Sequence, residues 1–478
     1  MWVLYLILAI VVIFLSIIII RALMFNPKPQ PKIDETTETF DSDRAADNLC
    51  QLIRFKTVSY RDHSLEDDAE FEKLIEALPS LYPNVAKVCE FKRFPDKGIL
   101  YHWKGKNNGN PSVMMAHFDV VPVNEEGWTF PAFEGIIKDG YICGRGSLDT
   151  KVTMNGILFA ADHLIAEGFV PENDMYFAFS GGEEINEDGA LHIVNYFDEN
   201  NIEPSFVLDE GGAVVENVFP GVKDSVGLIG IAEKGLMNVQ YTVKSGGGHA
   251  SAPKPNAPVD RLCKACNNVL AKPFKIKLTP PVALMFDTLG RYSSFVYKVI
   301  FANVKIFMPI LNMMCKKSGG DLNALLRTTV AFTQMNGSSA PNVIPPEASL
   351  VSNIRLNPAD TMDSALEYFK KVIDDENVEV SCINGVNPSR ISQVGIDVWD
   401  KLASSVASTW KGTIVSPYLM MQCSDSRHYG KISDKVYRFS AMDLTAEERA
   451  TIHGHDEKLR IETNNRTVEF YIRLMRKF

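Results

Sequence analysis

Three apolar runs in the first half of the chain each stop at side chains able to bind a metal ion, and this repetition constrains the fold more than any other feature. Val113-Met114-Met115-Ala116 runs into His117-Phe118-Asp119, and Phe206-Val207-Leu208 into Asp209-Glu210-Gly211-Gly212. Met175-Tyr176-Phe177-Ala178-Phe179 leads through Ser180-Gly181-Gly182 to Glu183-Glu184. Strand-like apolar runs that alternate with helical patterns predict an α/β body built on a mostly parallel sheet. Ligands of open parallel sheets gather beyond the carboxyl ends of the strands, so these side chains should converge.

A fourth carboxylate, Asp149 in Gly144-Arg145-Gly146-Ser147-Leu148-Asp149, stands just before a segment with helical spacing at Ile157, Ala160, Ala161 and Leu164. A carboxylate there sits beside the positive end of a helix dipole. His117, Asp149, Glu184 and Asp209 are the side-chain types zinc accepts. Two ions about 3.5–4 Å apart need a carboxylate that bridges them. Asp119, two residues past His117 on the same strand face, is placed to accept the second imidazole N–H. Glu183 and Glu184 are adjacent and so diverge; one can bind metal while the other acts as general base. Any one of these residues is commoner as a surface or capping group, but four ends carrying the right types together point to a site.

The remaining sequence sets the context. At 478 residues the chain exceeds one compact core, with a prior of about three domains. A formal charge of -10 without a long basic run argues against nucleic acid, and eight cysteines are too few for a disulfide scaffold. Trp2 to Ile20 is unbroken apolar sequence apart from Tyr5 and Ser16, long enough to span a bilayer. Residues 1–25 are expected to form a single transmembrane helix; a cleaved signal peptide is the rival, disfavoured by the missing charged n-region and cleavage site. Residues 26–44, with Asn26-Pro27-Lys28-Pro29-Gln30-Pro31-Lys32, predict an extended spacer. Arg21, Lys28 and Lys32 favour a cytosolic body, whereas the acceptor tripeptides at Asn336 and Asn465 suit a lumenal or extracellular one. The expected location is membrane-anchored with the body lumenal or extracellular, or secreted if the segment is cleaved.

Taken together, several stretches resemble the M20 family of co-catalytic zinc peptidases and amidases, in its carboxypeptidase S and N-acyl-aromatic-amino-acid amidase branch. They are Ala116-His117-Phe118-Asp119, Gly144 to Lys151, Phe179 to Glu184, Leu208 to Gly212, Ser245 to Ser251, Asn342-Val343-Ile344-Pro345, Asp425 to Tyr429 and Ile452-His453-Gly454. The resemblance implies two zinc ions: His117 and Asp209 on one, Glu184 and His453 on the other, Asp149 bridging, with Glu183 as general base. It implies His249 as the oxyanion contact, Arg427 as the clamp for a substrate carboxylate, assisted by Asn342, and a cis peptide at Asp149–Thr150. It also implies an α+β lid domain at residues 235–389, inserted between the two parts of the catalytic domain at 45–234 and 390–478, with room for a homodimer through the lid.

Two departures from the family pattern stand out: Gln422-Cys423-Ser424 replaces a Gly-Gly-Thr turn, and Asp456 stands where relatives more often have Asn. Cys423 is read as structural. The apolar stretch from Phe295 to Met314 is expected to be a buried lid helix, the alternative being a contact for lipid-like acyl groups. The expected activity is hydrolysis, or the reverse condensation, of the amide between an acyl group and an amino acid with a free carboxylate. The alternatives are a carboxypeptidase or dipeptidase acting on short peptides, and a non-catalytic anchored binding protein.

Overall fold

The computed structural model describes all 478 residues. Eight strands form the central sheet, in the spatial order Glu90–Phe94, Gly98–Trp103, Asn173–Ser180, Asn107–His117, Phe206–Val215, Val436–Leu444, Val226–Glu233 and Ile414–Met420. Its middle pairings, Asn107–His117 with Asn173–Ser180 and Phe206–Val215, and the latter with Val436–Leu444, are parallel. Both faces are covered, which explains why these strands read as continuous apolar runs rather than alternating ones. Met114, Ala116, Phe177 and Phe179 face the helices Ser42–Arg54, Lys151–Ala166 and Ile461–Met475. Val113, Met115, Tyr176 and Ala178 face the other way, onto Ile193, Val194 and Phe197 of the helix Gly189–Glu199.

After Glu233 the chain leaves this sheet and at once forms a second one. Four antiparallel strands, in the order Thr329–Asn336, Glu347–Leu356, Gly235–Lys244 and Glu379–Val386, carry the helices Pro258–Ala271 and Met362–Ile373 on one face. The alternation in the two middle strands sends Met237, Val239, Tyr241 and Val243, with Leu350, Ile354 and Leu356, into a core of their own. The chain rejoins the catalytic sheet where Ser389 and Ser392 donate backbone N–H groups to the carbonyls of Glu233 and Ile231.

Two segments depart from the sequence reading. The helices between Pro280 and Leu326 do not join the lid sheet; Val282, Met285, Phe286 and Leu289 pack with Val226, Ile414 and Leu419 on the edge of the catalytic sheet. Nor is the stretch from Phe295 to Met314 a buried helix: it is two helices, Phe295–Phe301 and Val304–Ser318, bent at 103° and largely exposed on one side. Residues 26–40 are extended, as their prolines require, but are bound to the body along their length. Arg291 Nη1 donates to the Asn26 carbonyl, Lys28 pairs with Asp287, Val415 N–H donates to Gln30, and Arg473 donates to the Thr36 carbonyl. They form a strap, not a free spacer.

Candidate metal centre

Side chains from three strands of the central sheet, or the turns just after them, and from two loops converge at its carboxyl edge. His117 closes its strand, and its Nδ1 lies 3.1 Å from the Asp119 carbonyl oxygen and 3.3 Å from Asp119 Oδ1. Asp119 thereby holds Nδ1, and Nε2, 2.9 Å from Asp149 Oδ1, is the nitrogen that faces the cluster. Asp119 does more than orient the ring. Its carboxylate accepts the Ser59 hydroxyl at 2.7 Å and the backbone N–H groups of Glu183 and Glu184 at 3.2 Å each. It therefore ties the turn carrying both glutamates to the histidine.

Asp149 has a bridging geometry: Oδ1 lies 2.9 Å from His117 Nε2 and Oδ2 lies 3.0 Å from His453 Nε2. Glu184 Oε1 stands 3.1 Å from the same His453 nitrogen. One donor atom each from His117, Asp149 and Glu184 fall within 4.8 Å of one another, as do those from His117, Glu183 and Glu210. The peptide Asp149–Thr150 is cis.

On the His117 side the geometry differs from the expected ligand set. Asp209 accepts the Ser426 N–H at 2.8 Å, and it is Glu210 that lies 3.5 Å from His117 Nε2. The cause is local. Pairing with the neighbouring strand jumps from Asp209 opposite Arg438 to Gly212 opposite Phe439, so the regular alternation of faces breaks at Glu210 and Gly211.

Sequence reasoning also missed Glu457, which holds two site loops together. Its Oε1 accepts the N–H groups of Gly146, Leu148 and Asp149 at 3.1, 2.7 and 3.2 Å, and its Oε2 accepts Arg145 Nη1 at 2.6 Å. A buried Arg–Glu pair separated by 312 residues leaves no local signal. Asp456, by contrast, points away to accept the N–H and hydroxyl of Thr129 at 2.7 and 3.0 Å.

The electrostatics of the cluster suit divalent cations. Burial opposes ionisation of Asp149, but hydrogen bonds from both imidazoles outweigh it and hold the carboxyl well below its usual range. Burial pushes Glu183, Glu184 and Glu210 up, and the carboxylates around them add to the effect. His453 is raised to about 10, first by its bonds to Asp149 and Glu184. Too many buried carboxylates share two imidazoles, and the missing positive charge is what bound dications supply. The donors, imidazole nitrogen and carboxylate oxygen, are of the kind zinc takes.

Arg427 lies beside this cluster, its side chain 8% exposed, with Nη1 donating to the Ser424 carbonyl at 3.1 Å and Nη2 3.5 Å from Asp425 Oδ1. Its carboxylate neighbour is in turn bound by Ser180, and burial lifts Asp425 to about 6. Burial also pushes the Cys423 thiol up to about 11, which disfavours the thiolate; it donates to the Lys234 carbonyl and accepts from Arg355. His249 and Asn342 come together elsewhere. Residues 248–249 pair with 343–344 in a separate, exposed two-stranded sheet, and the Ala250 N–H donates to the Asn342 carbonyl at 3.0 Å. Neither makes a hydrogen bond to the carboxylate cluster.

Residues 113–477 match the model of peptidase family M20/M25/M40. The chain belongs to that family. M20 peptidases are metal-dependent hydrolases, and the donors gathered around His117 are the groups in this chain that could hold metal ions. Among curated relatives, a "Probable carboxypeptidase S-like 2" of Dictyostelium discoideum is 32% identical over 97% of this chain and 91% of its own length. An "N-fatty-acyl-amino acid synthase/hydrolase PM20D1" of Xenopus tropicalis is 32% identical over 88% of this chain and 83% of its own. Among solved structures, the M20 metallo-carboxypeptidase Sso-CP2 of Sulfolobus solfataricus superposes with a TM-score of 0.68 at 18% identity, covering 90% of this chain and 98% of that one. Human carnosine dipeptidase 1 follows at 0.61 and 13% identity, covering 91% of this chain and 96% of that one.

Proposed function

We propose that this M20 peptidase is a di-zinc amidohydrolase that cleaves, and in reverse forms, the amide bond between an acyl group and an amino acid with a free carboxylate. The observation that carries the reading is Asp149, with one oxygen facing each of two imidazoles. A pair of zinc ions bound here would supply Lewis-acid polarisation of the scissile carbonyl and a water acidic enough to lose its proton near neutral pH. His117, Glu210 or Asp209, Asp149, Glu184 and His453 would hold them.

Glu183 is the general base. Its side chain sits with His117 and Glu210, while its backbone is pinned by Asp119, so it can take the water's proton and hand it to the leaving nitrogen. Arg427 grips the substrate carboxylate. At 3.5 Å its contact with Asp425 lies beyond a good hydrogen bond, so part of the guanidinium fork is free. His249 stabilises the oxyanion and Asn342 assists at the carboxylate end; both wait at the exposed two-stranded sheet and act only when the lid closes.

The Xenopus tropicalis relative, a synthase/hydrolase of N-fatty-acyl amino acids by name, supports this substrate class. The Dictyostelium discoideum relative supports a second reading, a carboxypeptidase on short peptides using the same centre. A non-catalytic binding protein would have no use for Glu183. For Trp2–Leu23 we propose an uncleaved anchor, supported by Ile18, Ala22 and Phe25 being buried against the body, and for the body the lumenal or extracellular side, supported by the exposed acceptor at Asn336.

The test uses the full chain in detergent: zinc content by atomic emission, and turnover of an N-acyl amino acid, a dipeptide and an N-acyl amino acid amide. Two zinc ions, turnover of the first and strong discrimination against the third are expected. Preference for the dipeptide moves the assignment to the second reading. Metal-loaded protein that hydrolyses no amide refutes both.

A further inference from the structure

The surface around the helices Phe295–Phe301 and Val304–Ser318 is unlike the rest of the body. Seven large apolar residues are exposed within it: Phe295, Val296, Tyr297, Ile306, Ile310, Met313 and Met314. Elsewhere on the body exposed apolar side chains such as Leu65, Val170 and Ile383 are scattered, which is ordinary for a protein surface. In the second helix the apolar residues facing outward, Ile306, Ile310, Met313 and Met314, follow helical spacing, while Leu311 and Cys315 face the body. Both sides of this helix are therefore apolar, although only one meets protein. Lys305 opens it, and Lys316 and Lys317 close it.

The position of this patch along the anchor is set by contacts. Asn303, at the bend between the two helices, donates from Nδ2 to the carbonyl of Ile18 in the helix Trp2–Leu23 at 3.1 Å. Phe25, just past that helix, is buried in one cluster with Phe301, Phe219 and Phe286, and the ring of Phe301 lies 4.6 Å from Phe219 and 5.2 Å from Phe286. The anchor helix is thus docked on the body. From Trp2 to Ile18 it rises only about 24 Å, at 1.5 Å per residue, less than the roughly 30 Å of a hydrocarbon core. If that helix spans the bilayer, Ile18 lies near the boundary of the core, and Asn303 is carried to the same depth.

We propose that the two helices form an interfacial membrane-binding surface, with Val296, Ile310 and Met313 in the acyl region and Lys305, Lys316 and Lys317 at the headgroup phosphates. This rests on reading Trp2–Leu23 as an anchor. Long lysine side chains at the ends of an apolar stripe reach the headgroup phosphates while the stripe is immersed. The body then lies against the bilayer at a fixed orientation instead of hanging from a tether.

The experiment places an environment-sensitive fluorophore on single cysteines of the full chain, in a background where exposed Cys263 is replaced by Ser. The protein is reconstituted in phosphatidylcholine vesicles carrying a nitroxide on the acyl chain. Reporters at Ile10, Val296, Met313 and, as a surface control, Val170 are compared, after each variant is shown to retain bound metal. Quenching of at least about twofold at Ile10, Val296 and Met313, with none at Val170, is expected. Quenching at Ile10 with Val296 and Met313 matching Val170 overturns the proposal and leaves the anchor intact. No quenching at Ile10 overturns the anchor reading itself. Replacing Lys305, Lys316 and Lys317 by Glu should weaken quenching at Met313 more than at Ile10; equal loss would overturn the role given to the lysines.

Discussion

Replacing Glu457 by Gln tests how the site is held together. The side chain is fully buried, and it joins the loop carrying Asp149 to the loop carrying His453. Gln has the same shape, and its carbonyl can still accept the three N–H groups now bound by Oε1. Its amide, however, turns a donor toward Arg145 Nη1, now 2.6 Å from Oε2. Arg145 is itself only 2% exposed, so its charge would be left buried and unpaired. Breaking a buried pair in this way costs about 3–5 kcal/mol. Arg145 keeps its bond to the Gly454 carbonyl and its place over the Trp128 ring, which puts the expected loss near the lower end, about 3 kcal/mol. That is a large part of a typical stability of about 5–15 kcal/mol. Urea unfolding followed by circular dichroism gives the loss as a shift in midpoint, and zinc affinity should fall about 10–100-fold as support of the ligands weakens. Arg145→Met combined with Glu457→Gln should cost less than the sum of the two single changes, because the orphaned charge is gone. A single variant losing under about 1 kcal/mol, or an additive double variant, would refute the reasoning.

The general base and the carboxylate clamp should fail differently: Glu183→Gln should collapse kcat while zinc content stays unchanged. Arg427→Ala should act first on KM, with a loss of about 1.5–3 kcal/mol, and erase discrimination against the amide-capped substrate; retained preference for the free carboxylate moves the clamp elsewhere. Asp149→Ala should lose both zinc ions. Glu210→Gln should lower zinc content more than Asp209→Asn, and the reverse order would restore the ligand set suggested by the family resemblance. Acid stability should depend on His428, whose pKa is lowered to about 4 by burial and by Arg427. The unfolded chain takes up this proton near pH 6.5 and the folded chain only near 4, so stability is present above that window and is lost as pH falls through it. Allowing for its partial exposure, the loss is about 2 kcal/mol, and His428→Gln should remove that slope from urea midpoints measured across this range. Protein made in eukaryotic cells should shift in gel mobility on endoglycosidase treatment, and Asn336→Gln combined with Asn465→Gln should abolish the shift; an unshifted parent removes the support these acceptors give to a lumenal or extracellular body.

Much of this centre was legible in the sequence because its residues sit where local pattern changes. His117, Glu183 and Glu184 each follow an apolar strand run and Asp149 precedes a helical one, and such boundaries are readable without any tertiary contact. The lid sheet was legible for the same reason: one buried face leaves alternation in residues 237–243 and 350–356. What tertiary structure alone decided has physical causes that act at long range. Glu210 lies 3.5 Å from His117 Nε2 because strand pairing slips between Asp209 and Gly212, and alternation counted along the sequence assumes that it does not. Glu457 and Arg145 meet across 312 residues, and neither charge has a local pattern that says it is buried. Periodicity finds the apolar stripe between Phe295 and Met314 but is blind to what covers it, because a helix packed in a core and one facing lipid share the same spacing. The strap from Asn26 to Phe40 reads as a linker by composition, and only the partners that bind its backbone, such as Arg291 and Arg473, determine that it lies fixed on the body.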